Sequence, residues 1–578
     1  MSGPAQISAV SKTRHVPTRR AWRPSPQFIL LVLMSLLAVA PFAEPGYFWG
    51  AHDARHNVYF LFQFDRSWQD GIYFPRWAPD FAFSYGYPFW IVYAPLATYV
   101  SQFFHLLGFG WEASVEIVFG LSIVASAIAM YGFVRSWAGR NAALVAGVAY
   151  VFIPYHLVDL YVRGALAESV ALVFLPLCLW GFRAVTQRPS WATISGAALA
   201  FAGLMLTSNL VALVFASVLG AYLVLHVLVR LNATQPWRDW SRESILPLFA
   251  NLVHLAWAPG LALILGFGLS AAFSVPALAE FRFVNRDQWY GEYYNPFNHF
   301  VYGYQLLTPS WGFGISQPGP DDPISFQLGV VPLALSILAL GVLFRKPRAP
   351  AVLRREVLFF AGLTAVAVYL MLPASAWAWR SIPMVKFAQF PWRYLMLTAV
   401  SLAVLAGVGV AHSVEAAVGH WHAARRTQPE DDPEPDAGRM TAAEPQAEPR
   451  TVQPLTVATL ALVGLLILGS YNYLAVEVRA PTPQQGPVSL AALMRFQQSS
   501  HEMTGVSAFV QEIPTWSPMA EDHVHGRPVT THVDYCRVPQ TEELAVDVRE
   551  VGTAHELVWV HSGRPDQRLV FNIDYFPG

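Results

Sequence analysis

Asp53, His56 and Asn57 occupy positions i, i+3 and i+4 of the string His52-Asp53-Ala54-Arg55-His56-Asn57, so on a helix they project to one side. Aspartate is ionised at neutral pH from a reference pKa of about 3.9. A carboxylate beside an imidazole can pass a proton to or from a reacting hydroxyl. The plain alternative is that Asp53 only caps the helix. Arg76 and Trp77 follow in Tyr73-Phe74-Pro75-Arg76-Trp77, and Tyr85 in Ser84-Tyr85-Gly86-Tyr87-Pro88, a Gly- and Pro-punctuated stretch that reads as an ordered loop. Further on, Asp159 and Arg163 stand four apart and Glu168 follows. The Arg163 guanidinium suits a pair of phosphate oxygens, or equally an ion pair with Asp159 that holds the turn. Residues 280–314 place Arg282, Arg286, Asp287, Trp289 and Glu292 among many aromatics, which suits sugar recognition and also an ordinary interfacial aromatic belt. Gln389-Phe390-Pro391-Trp392-Arg393 sets an arginine at the mouth of an apolar run, where it meets a lipid phosphate or snorkels. His52, His56, His156 and His299 raise the question of zinc, but no HExxH or comparable motif is present, so no metal ligand is assigned.

The elements that position these groups are apolar. Of 578 residues 54% are hydrophobic and 13% charged, against roughly a quarter charged in soluble proteins. That excludes a soluble enzyme and a disordered chain. A net charge of −1 argues against nucleic acid as a partner, and two cysteines, Cys178 and Cys536, exclude a disulfide framework. About eleven spans are predicted, near 27–43, 112–134, 141–156, 168–182, 191–207, 210–230, 256–279, 326–344, 357–373, 393–412 and 455–475. In 88–107 the polar residues Thr98, Ser101, Gln102 and His105 form one stripe, which predicts an amphipathic helix lying in the membrane interface. With that helix not crossing, the basic loops around Arg135, Arg183, Arg230 and Arg354 fall on the same side as the basic N-terminus. The N-terminus is therefore expected in the cytoplasm and the C-terminus outside. Pro41, after Ala38-Val39-Ala40, disfavours signal cleavage, so the first span is expected to be an uncleaved anchor.

The domain plan is a basic cytoplasmic tail (1–26), a transmembrane domain (27–412) with a first outer loop at 44–111, a disordered cytoplasmic linker (413–454), a last transmembrane helix (455–475) and an extracytoplasmic β-rich domain (476–578). Period-two alternation predicts strands at 543–551, 556–561 and 567–576.

The ordered set HDARH, YFPRWAPDFAFSYGYP, AIAMYGFVRSWAGRNAALVAGVAYVFIPYHLVDLYVRGALAES, QFPWRYL and TGVSAFVQEIP resembles bacterial membrane proteins labelled 6-pyruvoyl-tetrahydropterin synthase-related, which are similar to YfhO-type proteins and to the GT-C glycosyltransferases. The likeness runs from the first span to about residue 515 and is most specific over 50–170. The pterin label implies no activity, because a pterin synthase needs a zinc-binding histidine cluster. The resemblance implies a GT-C-like α-helical polytopic fold, a first-loop acid matched by Asp53, and a polyprenyl-phosphate-linked sugar as donor. Asp53 with His56 would do the acid/base chemistry, and Arg76, Arg163 or Arg393 would take the donor phosphate. Trp77, Tyr85, Glu168, Arg282 and Trp289 would contact substrate. The acceptor would be a glycan, lipid or protein of the envelope of a bacterial inner membrane. A divalent cation, Mg or Mn, is a candidate cofactor in that family, but Asp53 lacks the adjacent second acid that many of its members have. The rival class is a non-catalytic lipid or polymer transporter or assembly factor, which would carry ionisable groups near the membrane midplane.

Overall fold

Helix boundaries follow local chemistry. Ser190 and Thr193 close a capping box at the start of Trp191–Thr207, and Ser208 caps Asn209–Thr234 by accepting from the Val211 amide. Pro259 and Pro276 lie inside the long helix Ile245–Glu280, as membrane helices tolerate. A computed structural model describes residues 24–236, 245–285, 292–344, 349–426, 457–482, 485–500, 505–538, 540–541, 543–562, 565 and 567–577.

The protein is a helical membrane protein. Among the described residues five helices are long and apolar enough to cross a bilayer: Trp111–Ala138, Leu166–Gln187, Asn209–Thr234, Ile245–Phe283 and Pro391–Ser413. Two bent pairs raise this to seven: Arg140–Phe152 with Pro154–Val162, bent by 47°, and Ala351–Met371 with Pro373–Ser381, bent by 86°. Pro26–Ala38, Trp191–Thr207, Val330–Leu343 and Val457–Leu468 are apolar but shorter. Every predicted span falls on one of these helices. Arg140–Phe152 is the hub, packing against Pro26–Ala38, Trp111–Ala138, Leu395–Arg426 and Val457–Leu468. Its Ala142, Ala143, Ala146 and Ala149 are wholly buried, and small side chains of this kind let helix backbones approach closely in lipid. At the other end of the bundle from the site described below, Arg183 pairs with Glu356, which also accepts from Tyr222 (3.2 Å) and faces His226 (3.2 Å), tying three helices together.

The 88–107 stretch divides into Phe89–Val92 and Leu96–Leu106, and its polar stripe faces protein rather than water. Thr98, Ser101 and Gln102 are buried, with Gln102 Nε2 donating to Asp65 Oδ1 at 2.7 Å, while Phe103, Leu106 and Leu107 are exposed. Asp65 belongs to the helix Ala54–Gln69, which carries its own polar face, so the two helices satisfy each other. The predicted stripe exists, and its partner is the polar face of Ala54–Gln69.

In the C-terminal region only the first two predicted strands form, β1 (Leu544–Val551) antiparallel to β2 (Glu556–Ser562). The third run does not join them. Instead its backbone bonds to 532–534 (Asp534 N to Val570 O, 2.8 Å; Asn572 N to His532 O, 2.7 Å) and its Asp574 N–H reaches Tyr85 O at 2.9 Å. The third predicted strand is therefore not formed: apart from an isolated bridge between Phe571 and Val533 the run bends at 572–573, and the neighbours that take up its backbone groups come from distant sequence. The aromatics of 81–90 form a second core with Leu493, Met494, Phe496 and Ala520 of the C-terminal region. The helix entering the predicted linker runs on to Arg426, and 427–456 lie outside the described residues, as do 1–23.

Candidate functional site

Asp53 precedes the first residue of Ala54–Gln69, yet its carboxylate makes no capping hydrogen bond, so the side chain is not committed to the role that residue type alone would suggest. Its position is set by backbone. Asp53 N donates to Arg163 O (2.7 Å), His52 N to Val162 O (3.1 Å), and Asn57 Nδ2 to Gly164 O (2.6 Å). Gly164 makes this joint possible: its φ is +62°, and a Cβ there would stand 3.0 Å from Ala54 N. The bend and the π-helical turn Val158–Val162, a feature common near functional sites, present these carbonyls to the first loop. Burial pushes the His52 imidazole below its ordinary range, against the pull of Asp53, which leaves it neutral at pH 7.

Arg163 is buried, and its Nη1 is engaged by two carboxylates. It pairs with Asp159 and with Glu168 (2.7 Å), and its guanidinium lies 4.9 Å over the Trp392 ring. Tyr155 donates to Glu168 at 2.5 Å and Ser169 to Asp159 at 3.1 Å. The ion-pair alternative for Arg163 therefore describes its main contacts, and Glu168 is its second partner. Two buried carboxylates thus share one buried guanidinium.

Arg393 differs. Its Nη1 donates to the neutral Gln389 Oε1 (2.9 Å), and the guanidinium stacks on Phe390 and Trp392 at 5.1 and 5.7 Å. Its buried Nε has no hydrogen-bond partner, and it makes no ion pair among the described residues. It lies within the field of Asp53, Arg163, Glu168 and Tyr155. A cation with donors to spare beside an uncommitted carboxylate can hold an anionic leaving group while the carboxylate takes a proton.

Asp53, Arg163, Glu168 and Arg393 thus converge, whereas other candidates do not. Arg76 pairs with Glu280 at the end of a long helix, and Arg282 lies 4.7 Å over Phe283. The Trp77 indole packs over Gly86, and Tyr85 is half-buried against the C-terminal segment through its carbonyl. His56 packs on Phe496 (4.8 Å) and Phe60 (6.0 Å). Trp289 lies outside the described residues. Tyr155 and Trp392, which buttress the two arginines, were unmarked in sequence because both read as ordinary interfacial aromatics. Asp159 and Glu168 are both engaged by Arg163, and no group of three or more His, Cys, Asp or Glu among the described residues is placed to hold a metal ion. With Asp159 and Glu168 held by Arg163, Asp53 is the one remaining acid of this described cluster, and a single carboxylate does not fit a divalent cation.

No family model matches the chain. An uncharacterized protein of Lactococcus lactis subsp. cremoris (strain MG1363) is 22% identical over 260 residues, 44% of this chain and 40% of that protein, so the likeness spans less than half of the relative's length. Among solved structures, arabinofuranosyltransferase AftD from Mycobacteria is similar at 14% identity and a TM-score of 0.45, covering 86% of this chain and 32% of that one. The Archaeoglobus fulgidus oligosaccharyltransferase tethered with an acceptor peptide gives 13% and 0.42, covering 82% and 57%. ArnT from Cupriavidus metallidurans bound to undecaprenyl phosphate gives 17% and 0.28, covering 70% and 81%. All three TM-scores lie below 0.5, so the architecture given above rests on this chain's own helices.

Proposed function

We propose that the protein is a membrane glycosyltransferase of GT-C type that moves a sugar from a polyprenyl-phosphate donor to an envelope acceptor at the outer face of a bacterial cytoplasmic membrane, with its N-terminus inside. The observation that carries this reading is an uncommitted Asp53 carboxylate within whose field lies Arg393, a cation that has no ion-pair partner among the described residues. Asp53 takes the proton of the acceptor hydroxyl as its oxygen attacks the anomeric carbon. The bond from that carbon to the phosphate oxygen breaks, and Arg393 receives the charge of the departing lipid phosphate. A single displacement inverts the anomeric configuration. Arg163 shapes the site through Asp159 and Glu168 and holds the loop that sets Asp53. The rival transporter reading draws no support from the buried Arg183–Glu356 pair, because both residues lie near the ends of their helices rather than midway.

The test is transfer from lipid-linked sugars, extracted from the membranes of the cells that make the protein, to envelope acceptors by purified wild type and Asp53→Asn. We expect the variant to melt like wild type and to transfer about 10²- to 10⁴-fold more slowly. Equal transfer by a folded Asp53→Asn protein removes the assigned base.

A further inference from the structure

The helix that starts beside Asp53 carries a second constellation at its other end. Phe62, Arg66 and Asp70, at i, i+4 and i+8, line one wall of a cleft of about 680 Å³. The facing walls come from the turn at Ser84 and from the C-terminal region around His523 and Thr553. The cleft is therefore built jointly by the first loop and the C-terminal region.

The turn is unusual. Ala82, Phe83 and Ser84 all have left-handed backbone, with φ of 52°, 57° and 68°, a run that side chains other than glycine adopt only when their surroundings impose it. Here Gln497 accepts from Phe83 N (3.3 Å) and donates to Asp80 O (3.2 Å), and the Ser517 hydroxyl donates to Phe83 O. The consequence is that Ser84 is 3% exposed with a hydroxyl that has no hydrogen-bond partner, set in the cleft wall. Buried hydroxyls are normally satisfied, so an unsatisfied one held by an imposed turn marks a place for a ligand's donor or acceptor.

Charge narrows the ligand class. Two arginines in the lining, Arg66 and Arg527, are balanced by Asp70 and Asp80, and Arg66 lies 2.7 Å from Asp80. Arg527 is engaged at 2.7 Å by Asp522, and Asp70 accepts from Thr553 N at 2.8 Å. Burial pushes the His523 imidazole below its ordinary range, so at neutral pH it offers one donor and one acceptor rather than a charge. Balanced charge, many mixed donors and acceptors, and one aromatic ring suit a neutral chain of hydroxyls better than a phosphate, a uronate or an acidic peptide.

We propose that this cleft binds the acceptor as a neutral oligosaccharide, held at Ser84, Asp70 and His523 while its growing end extends toward Asp53. At 1.5 Å per helical residue the lining residues Phe62 to Asp70 stand roughly 14–25 Å along the axis from Asp53, so the site measures acceptor length and favours chains over single sugars. The inference rests on the glycosyl-transfer reading above for the identity of the ligand as acceptor. Binding itself is independent of transfer.

The experiment places detergent-purified full-length protein on an array of neutral and acidic bacterial glycans and a peptide library, followed by titration of the best ligand into wild type, Asp53→Asn, Ser84→Ala and Ala491→Trp. Ala491 lines the cleft, and an indole there fills it. We expect neutral oligosaccharides to bind, longer chains more tightly than monosaccharides. Asp53→Asn should bind like wild type, Ser84→Ala about tenfold more weakly at an unchanged or higher melting temperature, and Ala491→Trp not at all. No glycan above background, preference for acidic glycans or peptides, or unchanged affinity in Ser84→Ala overturns the proposal. Should Asp53→Asn transfer normally while cleft-dependent glycan binding persists, the catalytic reading fails and the binding cleft stands.

Discussion

Replacing Gly164 with alanine tests whether the joint between the first loop and the Val158–Val162 turn sets the position of Asp53. At φ +62° alanine costs about 1 kcal/mol relative to glycine. The new Cβ stands 3.0 Å from Ala54 N and 3.3 Å from Ala51 Cβ, and the first of these is backbone, so no side-chain rotation relieves it. The two segments must separate by a few tenths of an ångström or more. Separation weakens Asn57 Nδ2 to Gly164 O (2.6 Å) and Asp53 N to Arg163 O (2.7 Å), each worth about 1 kcal/mol. The destabilisation is about 3 kcal/mol, and since a misplacement of about 1 Å costs about 10²-fold in rate, a shift of a few tenths of an ångström lowers transfer roughly threefold to tenfold. Gly108 supplies the control, because its φ is +97° and a Cβ there meets nothing within 4 Å. Gly108→Ala carries only the conformational cost of about 1 kcal/mol and leaves transfer unchanged. Thermal unfolding in detergent and the transfer assay, run on both variants, measure the difference. Equal effects in the two, or wild-type transfer by Gly164→Ala, would refute the claim that this contact positions Asp53.

Two further outcomes follow from the same structure. Arg163→Met leaves Asp159 and Glu168 buried without their cation and lowers stability by about 3–5 kcal/mol, whereas Arg393→Met breaks no ion pair, keeps the melting temperature near wild type and lowers transfer about 10²- to 10³-fold; comparable melting of the two variants contradicts the division of roles. Asp574 titrates near 6 because burial raises its carboxyl pKa, so the folded state holds a proton that the unfolded chain releases at about 3.9. Its contribution to docking of the C-terminal segment is full below about pH 4 and is lost as pH rises through about 6. Hydrogen exchange at residues 570–576 should accordingly quicken from pH 5 to 7, after correction for intrinsic rates, in wild type and not in Asp574→Asn. Identical profiles would exclude that carboxyl as the cause.

The lipid-borne helices were legible in sequence because each depends on local composition alone: a run of apolar side chains with few charges reads the same wherever it sits in the chain. The convergence of Asp53, Arg163, Glu168 and Arg393 was legible in part, through residue types too costly to leave in an apolar setting without a reason. What those charges do to one another was not. Whether Arg163 or Arg393 has donors to spare depends on Glu168 and Gln389, and on a bend that aims the Arg163 and Gly164 carbonyls at the first loop. The polar stripe of 96–106 likewise specified a helix face but not its partner, which turned out to be Asp65. The run 567–576 alternates as a strand would, yet it forms none, and its backbone groups are met by 532–534 and by Tyr85. Local sequence determines which segments are apolar, helical or extended, because those properties are sums over neighbouring residues. Which polar group meets which depends on how the helices pack: Gln102 and Asp65 stand 37 residues apart and Asn57 and Gly164 stand 107 apart, and only the folded arrangement brings them together.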